Sequence, residues 1–249
     1  FSIRKAMRSC CRYAIGNKQI NKTYDYRMSL EEAELWINNF GQDNFEKAVE
    51  IICFIEKKYH VAYTDYSFKM LAEYLCIQLF RARMGNFITE RLMEEDGTIS
   101  NQEIVDTVTE MLEEGNRISL NAFEKQYIDV LFASAAVQGN NDDFQTALLG
   151  GFEEKNKLIC REMMEYLSEI LNVNLTGNEL LMTSLEAFMP SSMIRTKYGI
   201  EVSNPFLGDI REMYSGIFAT CFTLGKFYEQ YSGAIPTDQE ISFLALFVG

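Results

Sequence analysis

The sequence contains very little histidine, proline or tryptophan. Its 249 residues include one His, three Pro and one Trp. Because His60 is the single histidine, a metal cluster built from several His ligands is excluded. A Ser-His-Asp triad would have to include His60. The scarcity of proline excludes collagen-like and proline-rich chains. Because 47% of the residues are hydrophobic, the sequence predicts a folded chain with a core.

Long apolar runs and paired cysteines are also missing. No stretch of about 18 apolar residues is free of charge, so no transmembrane helix is predicted. The six cysteines have no Cys-x-x-Cys spacing, and no secretory signal is recognised. These absences predict free, buried cysteines, no membrane contact and a location in the reducing cytoplasm. The first residue is Phe1, which indicates a piece of a longer protein.

Basic residues are outnumbered, and they are distributed unevenly. The net charge is −13, which argues against a nucleic-acid-binding surface in this chain. Residues 1–30 nevertheless hold seven of the 23 basic residues and only one of the 36 acidic residues. A basic N-terminal segment followed by an acidic remainder indicates that a segment upstream contacts an anion.

Helix-start signals are present throughout the chain. Five segments open with a cap residue that is followed three positions later by Glu, the pattern of a capping box. The pairs are Ser29/Glu32, Ser100/Glu103, Asn121/Glu124, Thr176/Glu179 and Thr237/Glu240. Apolar residues then recur at spacings of three and four, for example at Phe45, Val49, Ile52 and at Ile159, Met163, Tyr166, Ile170. We therefore predict an all-α protein with helices of about 10–20 residues.

The sequence also repeats itself at about half its length. Residues 61–65 and the helix ending at 81–85 match residues 173–177 and the helix ending at 195–199. A later stretch, 118–131, matches 235–247. Such a period indicates two tandem copies of one helical bundle. The boundary is expected near 139–141, where Gly-Asn-Asn interrupts the helical pattern.

These repeated stretches carry recognisable motifs. The second copy contains Arg-Thr-Lys-Tyr-Gly at 195–199, Asn-Pro-Phe-Leu at 204–207 and a closing stretch at 235–249, and the first copy contains Ile-Glu at 55–56 and a helix over 71–85. Together they resemble the tandem PTS regulation domains (PRDs) of sugar-responsive bacterial transcription activators and antiterminators. The resemblance covers about residues 45–249.

The resemblance implies a domain organisation. Residues 1–44 would be linker helices that follow an upstream DNA-binding domain not contained in this chain. Residues 45–140 would be the first PTS regulation domain, and residues 141–249 the second. The basic charge of the N-terminal segment agrees with the DNA-binding branch of the family.

The resemblance also implies four regulatory positions. Domains of this family usually present histidines that accept phosphate from the sugar phosphotransferase system. Carried over to this sequence, those histidines fall on Tyr74, on Leu131 or Phe132, on Ala187 or Phe188, and on Phe247. None of these residues is His. Tyrosine phosphate would be a different linkage with a different donor, and His60 lies outside the acceptor positions.

We therefore predict a degenerate regulatory module that has lost phosphohistidine control and that acts through rearrangement of a homodimer. The alternative is a protein–protein interaction scaffold without a switch. An enzyme is disfavoured, and neither a cofactor nor a metal is expected. Phosphotransferase-system proteins are the other expected partners, and DNA would be contacted only through the upstream domain.

Overall fold

The computed structural model describes residues 27–92, 102–116, 118–138 and 153–249. The chain divides into two compact units, Phe1–Leu148 and Leu149–Gly249, which we call the first and the second unit. The boundary predicted near residues 139–141 lies outside the described residues. The division into residues 1–44, 45–140 and 141–249 therefore stays a prediction.

The first unit is built from helices. They are α1 (Leu30–Phe40), α2 (Gln42–Tyr59), α3 (Asp65–Arg83), α4 (Gln102–Glu113) and α5 (Ala122–Ala133). The long helices α2 and α3 pack on each other, and α1 packs on both. Helix α1 lies within residues 1–44, so this part of the predicted linker is folded against the first bundle.

Helix α1 begins where the sequence predicts. Ser29 Oγ accepts a hydrogen bond from Glu32 N–H at 3.1 Å, and a Glu32 carboxylate oxygen accepts one from Ser29 N–H at 2.6 Å. This is the complete capping box. Gly41, with φ +91°, ends α1 and lets α2 begin one residue later.

The second unit is also helical. It contains α6 (Glu153–Leu171), α7 (Glu179–Tyr198), α8 (Leu207–Met213), α9 (Ser215–Cys221), a 3₁₀ turn (Phe222–Leu224), α10 (Gly225–Ser232) and α11 (Asp238–Val248). Residues 27–92, 102–116, 118–138 and 153–249 contain no strand, and Tyr63 and Val137 form a single antiparallel bridge. The all-α prediction is confirmed.

The apolar periodicity of the sequence matches the buried faces closely but not everywhere. Phe45, Val49 and Ile52 are buried in the first unit, as their spacing predicts. In the second unit, Ile159 and Met163 are buried, whereas Ile170 is 46% exposed. Ile170 lies in the last turn of α6, after Leu167, which is the last residue of this helix in the buried core.

One predicted helix start lies elsewhere. Helix α7 begins at Glu179, and its cap is Asn178 rather than Thr176. The Thr176 hydroxyl donates to Asn174 Oδ1 at 3.1 Å, and the same oxygen accepts a backbone N–H at 3.0 Å. An asparagine that bonds the chain two or three residues ahead holds a turn, so the helix starts later. Ser100, another predicted cap, lies outside the described residues.

The cysteines follow the prediction with one exception. Cys76, Cys160 and Cys221 are buried and free, as expected of small hydrophobic core residues. Cys53 is half-buried and disulfide-bonded, so the expectation of a free, buried thiol is wrong at this position, which lies off the core. Cys10 and Cys11 lie outside the described residues. In the part of the chain that is described, no helix has the length and apolarity needed to cross a membrane.

Candidate functional site

Two of the predicted capping boxes have a different role for their glutamate. Asn121 caps α5 by accepting hydrogen bonds from the N–H groups of Phe123 and Glu124, both at 2.9 Å. Thr237 caps α11 by accepting one from Glu240 N–H at 3.4 Å. The caps are confirmed, but the carboxylates of both glutamates bind the preceding long helix of their own unit.

In the first unit, the Glu124 carboxylate is fully buried and joins three segments. Arg81 on α3 donates to its two oxygens at 3.0 and 3.1 Å, and Gln78 donates to one of them at 2.9 Å. The backbone N–H of Ile88, in the segment after α3, donates to the other at 2.7 Å. Because a buried carboxylate is costly unless it is paired, this set of donors fixes the start of α5 against the end of α3.

The second unit contains the same kind of pair. Arg195 on α7 is fully buried and donates to the two Glu240 oxygens at 2.5 and 3.0 Å. Ser192 donates to Glu240 at 2.6 Å and lies 2.7 Å from the Tyr228 hydroxyl. Burial and the nearby Glu240 charge raise the pKa of Tyr228 above its ordinary value, so this phenol stays protonated.

The candidate site lies on the same helices as these ion pairs. Tyr74 precedes Arg81 by seven residues, and Phe188 precedes Arg195 by seven. Seven residues are about two helical turns, so each aromatic residue lies on the face of its helix that carries the arginine. Phe247 follows Glu240 by seven residues, which places it on the corresponding face of α11.

The aromatic side chains at these positions contact one another within each unit. In the second unit, the Phe188 ring centroid lies 5.3 Å from that of Phe247 and 5.8 Å from that of Phe243. In the first unit, the centroids of Tyr74 and Tyr127 are 6.4 Å apart. Burial, with a smaller contribution from Tyr74, raises the pKa of Tyr127. These separations are typical of aromatic packing.

The remaining predicted positions are less uniform. Leu131 is completely buried, as is its alternative Phe132 at 1% exposure, and so they face the core of the first unit. Ala187 is half-buried, whereas Phe188 is buried and has the ring contacts that match those of Tyr74. The geometry therefore favours Phe188 over Ala187 as the counterpart of Tyr74.

His60 has a structural position. It caps the C-terminus of α2 with φ +53°, and its backbone N–H donates to the Glu56 carbonyl. The residue is exposed. Residues 27–92, 102–116, 118–138 and 153–249 contain no group of three His, Cys, Asp or Glu residues able to hold a metal ion.

Sequence reasoning did not identify the hydrogen-bonding partners of the two glutamates. Gln78 and Ser192 each precede their arginine by three residues, so they occupy equivalent places in the repeat. A residue-by-residue alignment of the two copies contains this signal. The repeat gives no comparable signal for Tyr228, because α10 is brought next to the Arg195–Glu240 pair only by the tertiary fold.

Comparison with known protein families gives a match in the second unit. The family model described as the PRD domain matches residues 161–249. Residues 161–249 are therefore similar to the PRD domain. The match includes most of α6 and all of α7 to α11, and with them the Arg195–Glu240 pair and the Phe188–Phe247 contact. No curated protein and no solved structure matches the chain.

The match confirms the predicted resemblance to PTS regulation domains in this part of the chain. A PRD domain indicates a regulatory module controlled by the phosphotransferase system. PRD domains regulate rather than catalyse, which agrees with the sequence-based expectation that the chain is not an enzyme.

Proposed function

We propose that the chain is the regulatory region of a bacterial transcription regulator in which phosphohistidine control has been lost. The region works in the cytoplasm as a homodimer whose arrangement sets the activity of the regulator. DNA is bound through a domain upstream of Phe1. Phosphotransferase-system proteins remain proposed binding partners that no longer transfer phosphate to this chain.

The observation that carries the proposal is the contact between Phe188 and Phe247. The resemblance places phosphate-accepting histidines at Phe247 and at Ala187 or Phe188, and here the rings of Phe188 and Phe247 pack at 5.3 Å between centroids. On a histidine at either position, a phosphoryl group would add about two negative charges and push α7 and α11 apart. An aromatic pair instead holds the helices together with about 0.5–1.5 kcal/mol beyond burial.

We also propose that the first unit is a second PRD domain. Its support is internal: Arg81 and Glu124 form the pair that Arg195 and Glu240 form in the second unit. Gln78 takes the place of Ser192 at the same distance from the arginine. The position equivalent to Phe188 is Tyr74, whose phenol cannot carry phosphohistidine.

The proposal predicts that the chain takes no phosphate from the phosphotransferase system. The purified chain is incubated with the phosphocarrier protein, its kinase and radiolabelled phosphoenolpyruvate, and label is followed by gel autoradiography. We expect no stable label on this chain, while labelling of the phosphocarrier protein shows that the reaction works. Label that is stable in base and labile in acid would contradict the proposal. The His60→Gln variant then tells whether His60 carries it.

The alternative function is an interaction scaffold without a switch. It is favoured by the same observation, since Leu131, Ala187, Phe188 and Phe247 offer no group that accepts phosphate. The two functions differ in what loosening the Phe188–Phe247 contact does to the dimer. A regulator changes its dimer affinity and output, whereas a scaffold keeps both.

A further inference from the structure

Arg27, just before α1, is almost completely buried against the first unit. Its side chain is 7% exposed, and its guanidinium donates to Glu56 Oε1 at 2.5 Å and also to the backbone carbonyl of Tyr63. The guanidinium carbon lies 4.4 Å from the centre of the Phe68 ring. A weaker contact of 3.5 Å joins Nε to the exposed Asp65 carboxylate.

Glu56 and Arg27 hold the same residue from two sides. Glu56 Oε1 accepts the backbone N–H of Tyr63 at 2.7 Å, and Arg27 donates to the Tyr63 carbonyl. Glu56 is 3% exposed, so its charge depends on Arg27 for compensation. We call Arg27, Glu56 and Tyr63 the Arg27 anchor.

The residue held in this way is itself paired with the end of the first unit. Tyr63 forms the antiparallel bridge to Val137. On either side of it, Thr64 N–H donates to Ala136 O at 2.9 Å, and Gln138 N–H donates to Ala62 O at 2.6 Å. The Arg27 anchor therefore joins the chain entering α1 to the segment that follows α5.

The second unit shows that this turn can close without a carboxylate. The N–H of Leu175 donates to Ser168 Oγ at 3.0 Å, and the two residues are seven apart, as Glu56 and Tyr63 are. In this copy of the repeat, a hydroxyl is enough to hold the backbone. The carboxylate at position 56 is therefore explained by its bond to Arg27 and not by the need to close the turn.

We propose that the Arg27 anchor couples the attachment of α1 to the pairing of residues 62–64 with residues 136–138. When Arg27 leaves Glu56, an uncompensated carboxylate remains beside Tyr63. The two backbone hydrogen bonds that pair residues 62–64 with residues 136–138 are then weakened. Conversely, a change that breaks this pairing displaces the Tyr63 carbonyl to which Arg27 donates. Because the coupling rests on contacts within the first unit, it holds whether or not the chain regulates transcription.

Hydrogen–deuterium exchange of the full chain, read by mass spectrometry, tests the coupling. In Arg27→Met we expect exchange at residues 61–64, at 136–138 and at 30–40 to rise by about tenfold, the effect of losing one charge-assisted hydrogen bond. Lys47→Met is the matched control, because Lys47 pairs within α2 with the exposed Glu50 and does not contact the Arg27 anchor in any bond described above. The control should leave exchange at all three segments unchanged. A rise confined to residues 30–40 would overturn the proposal.

A second variant separates coupling from general loss of structure. Arg27→Met combined with Glu56→Ser gives the first unit the hydroxyl that the second unit uses. We expect slow exchange to return at residues 61–64 and 136–138, while residues 30–40 stay fast. If the double variant exchanges at 61–64 as fast as Arg27→Met, or if the two variants lose protection uniformly over the first unit, the coupling through Glu56 is wrong.

Discussion

At the scale of single residues, a glutamate at the third position of a helix has two different roles in this protein. It can complete a capping box, or it can form a buried ion pair, as Glu124 does in α5 and Glu240 in α11. Glu32 completes a capping box at α1 and pairs with Lys69 while partly exposed, whereas the buried carboxylates of Glu124 and Glu240 bind an arginine on a neighbouring helix. The local sequence is similar in all three cases. The difference is the arginine more than 40 residues earlier, which a buried carboxylate needs as a partner.

The buried pair of the second unit predicts a large loss of stability in Arg195→Met. Glu240 would stay buried with Ser192 as its remaining side-chain donor, so we expect the free energy of unfolding to fall by about 3–5 kcal/mol. Arg211→Met is the control, because Arg211 and Asp238 form a half-exposed pair. It should cost less than about 1 kcal/mol. Urea unfolding measures both, and equal losses would contradict the prediction.

The buried thiols predict unreactive cysteines. Burial raises the pKa of Cys76 to about 12, with a smaller contribution from Glu73, and burial alone raises the pKa of Cys221 to about 12. At about pH 8, roughly one thiol in ten thousand is then a thiolate, the form that reacts. We expect iodoacetamide to leave both cysteines unmodified in the native chain and to modify both in urea, as read by mass spectrometry. Rapid modification of the native protein would show that they are accessible.

At the scale of the helix, Pro190 shows how a sequence rule is satisfied by tertiary contact. Proline lacks the N–H that would bond to the carbonyl of Glu186 four residues earlier, yet α7 continues through it. The side-chain amide of Asn156 on α6 donates to that carbonyl at 2.7 Å. The neighbouring helix thus supplies the hydrogen bond that proline removes, and α7 remains one element.

This arrangement predicts a coupling between Asn156 and Pro190. Asn156→Leu should lower the free energy of unfolding by about 1–3 kcal/mol, because the Glu186 carbonyl loses its donor. In a Pro190→Ala background, the backbone N–H at position 190 can bond to Glu186, and the same Asn156→Leu change should cost clearly less. Urea unfolding of the four proteins gives the double-mutant cycle. Additive losses would show that Asn156 does not compensate for the proline.

At the scale of the whole molecule, the proposed regulatory function depends on the Phe188–Phe247 contact. Under that proposal, Phe188→Ala combined with Phe247→Ala loosens α7 against α11 and changes the dimer dissociation constant by about tenfold, the value of one aromatic pair. Analytical ultracentrifugation of the chain measures this constant, and a reporter driven by the full-length regulator measures its output.

The control for this prediction is Phe222→Ala. Phe222 is 44% exposed, contacts Phe218 in the same unit and is not one of the proposed regulatory positions. It should change neither the dimer nor the reporter. If the double variant also leaves both unchanged, the scaffold alternative accounts for the chain better than the regulatory one.

The sequence by itself determined the helical class, the starts of α1, α5 and α11 and most of the buried faces, because these depend on residues within one or two turns of each other. It also indicated the family of the second unit through the motifs over 195–249. Only the tertiary structure decided where the carboxylates of Glu56, Glu124 and Glu240 go and how Pro190 is tolerated. Each of these depends on a partner about 29–46 residues away, and the cost of burying an unpaired polar group selects that partner only once the helices have packed.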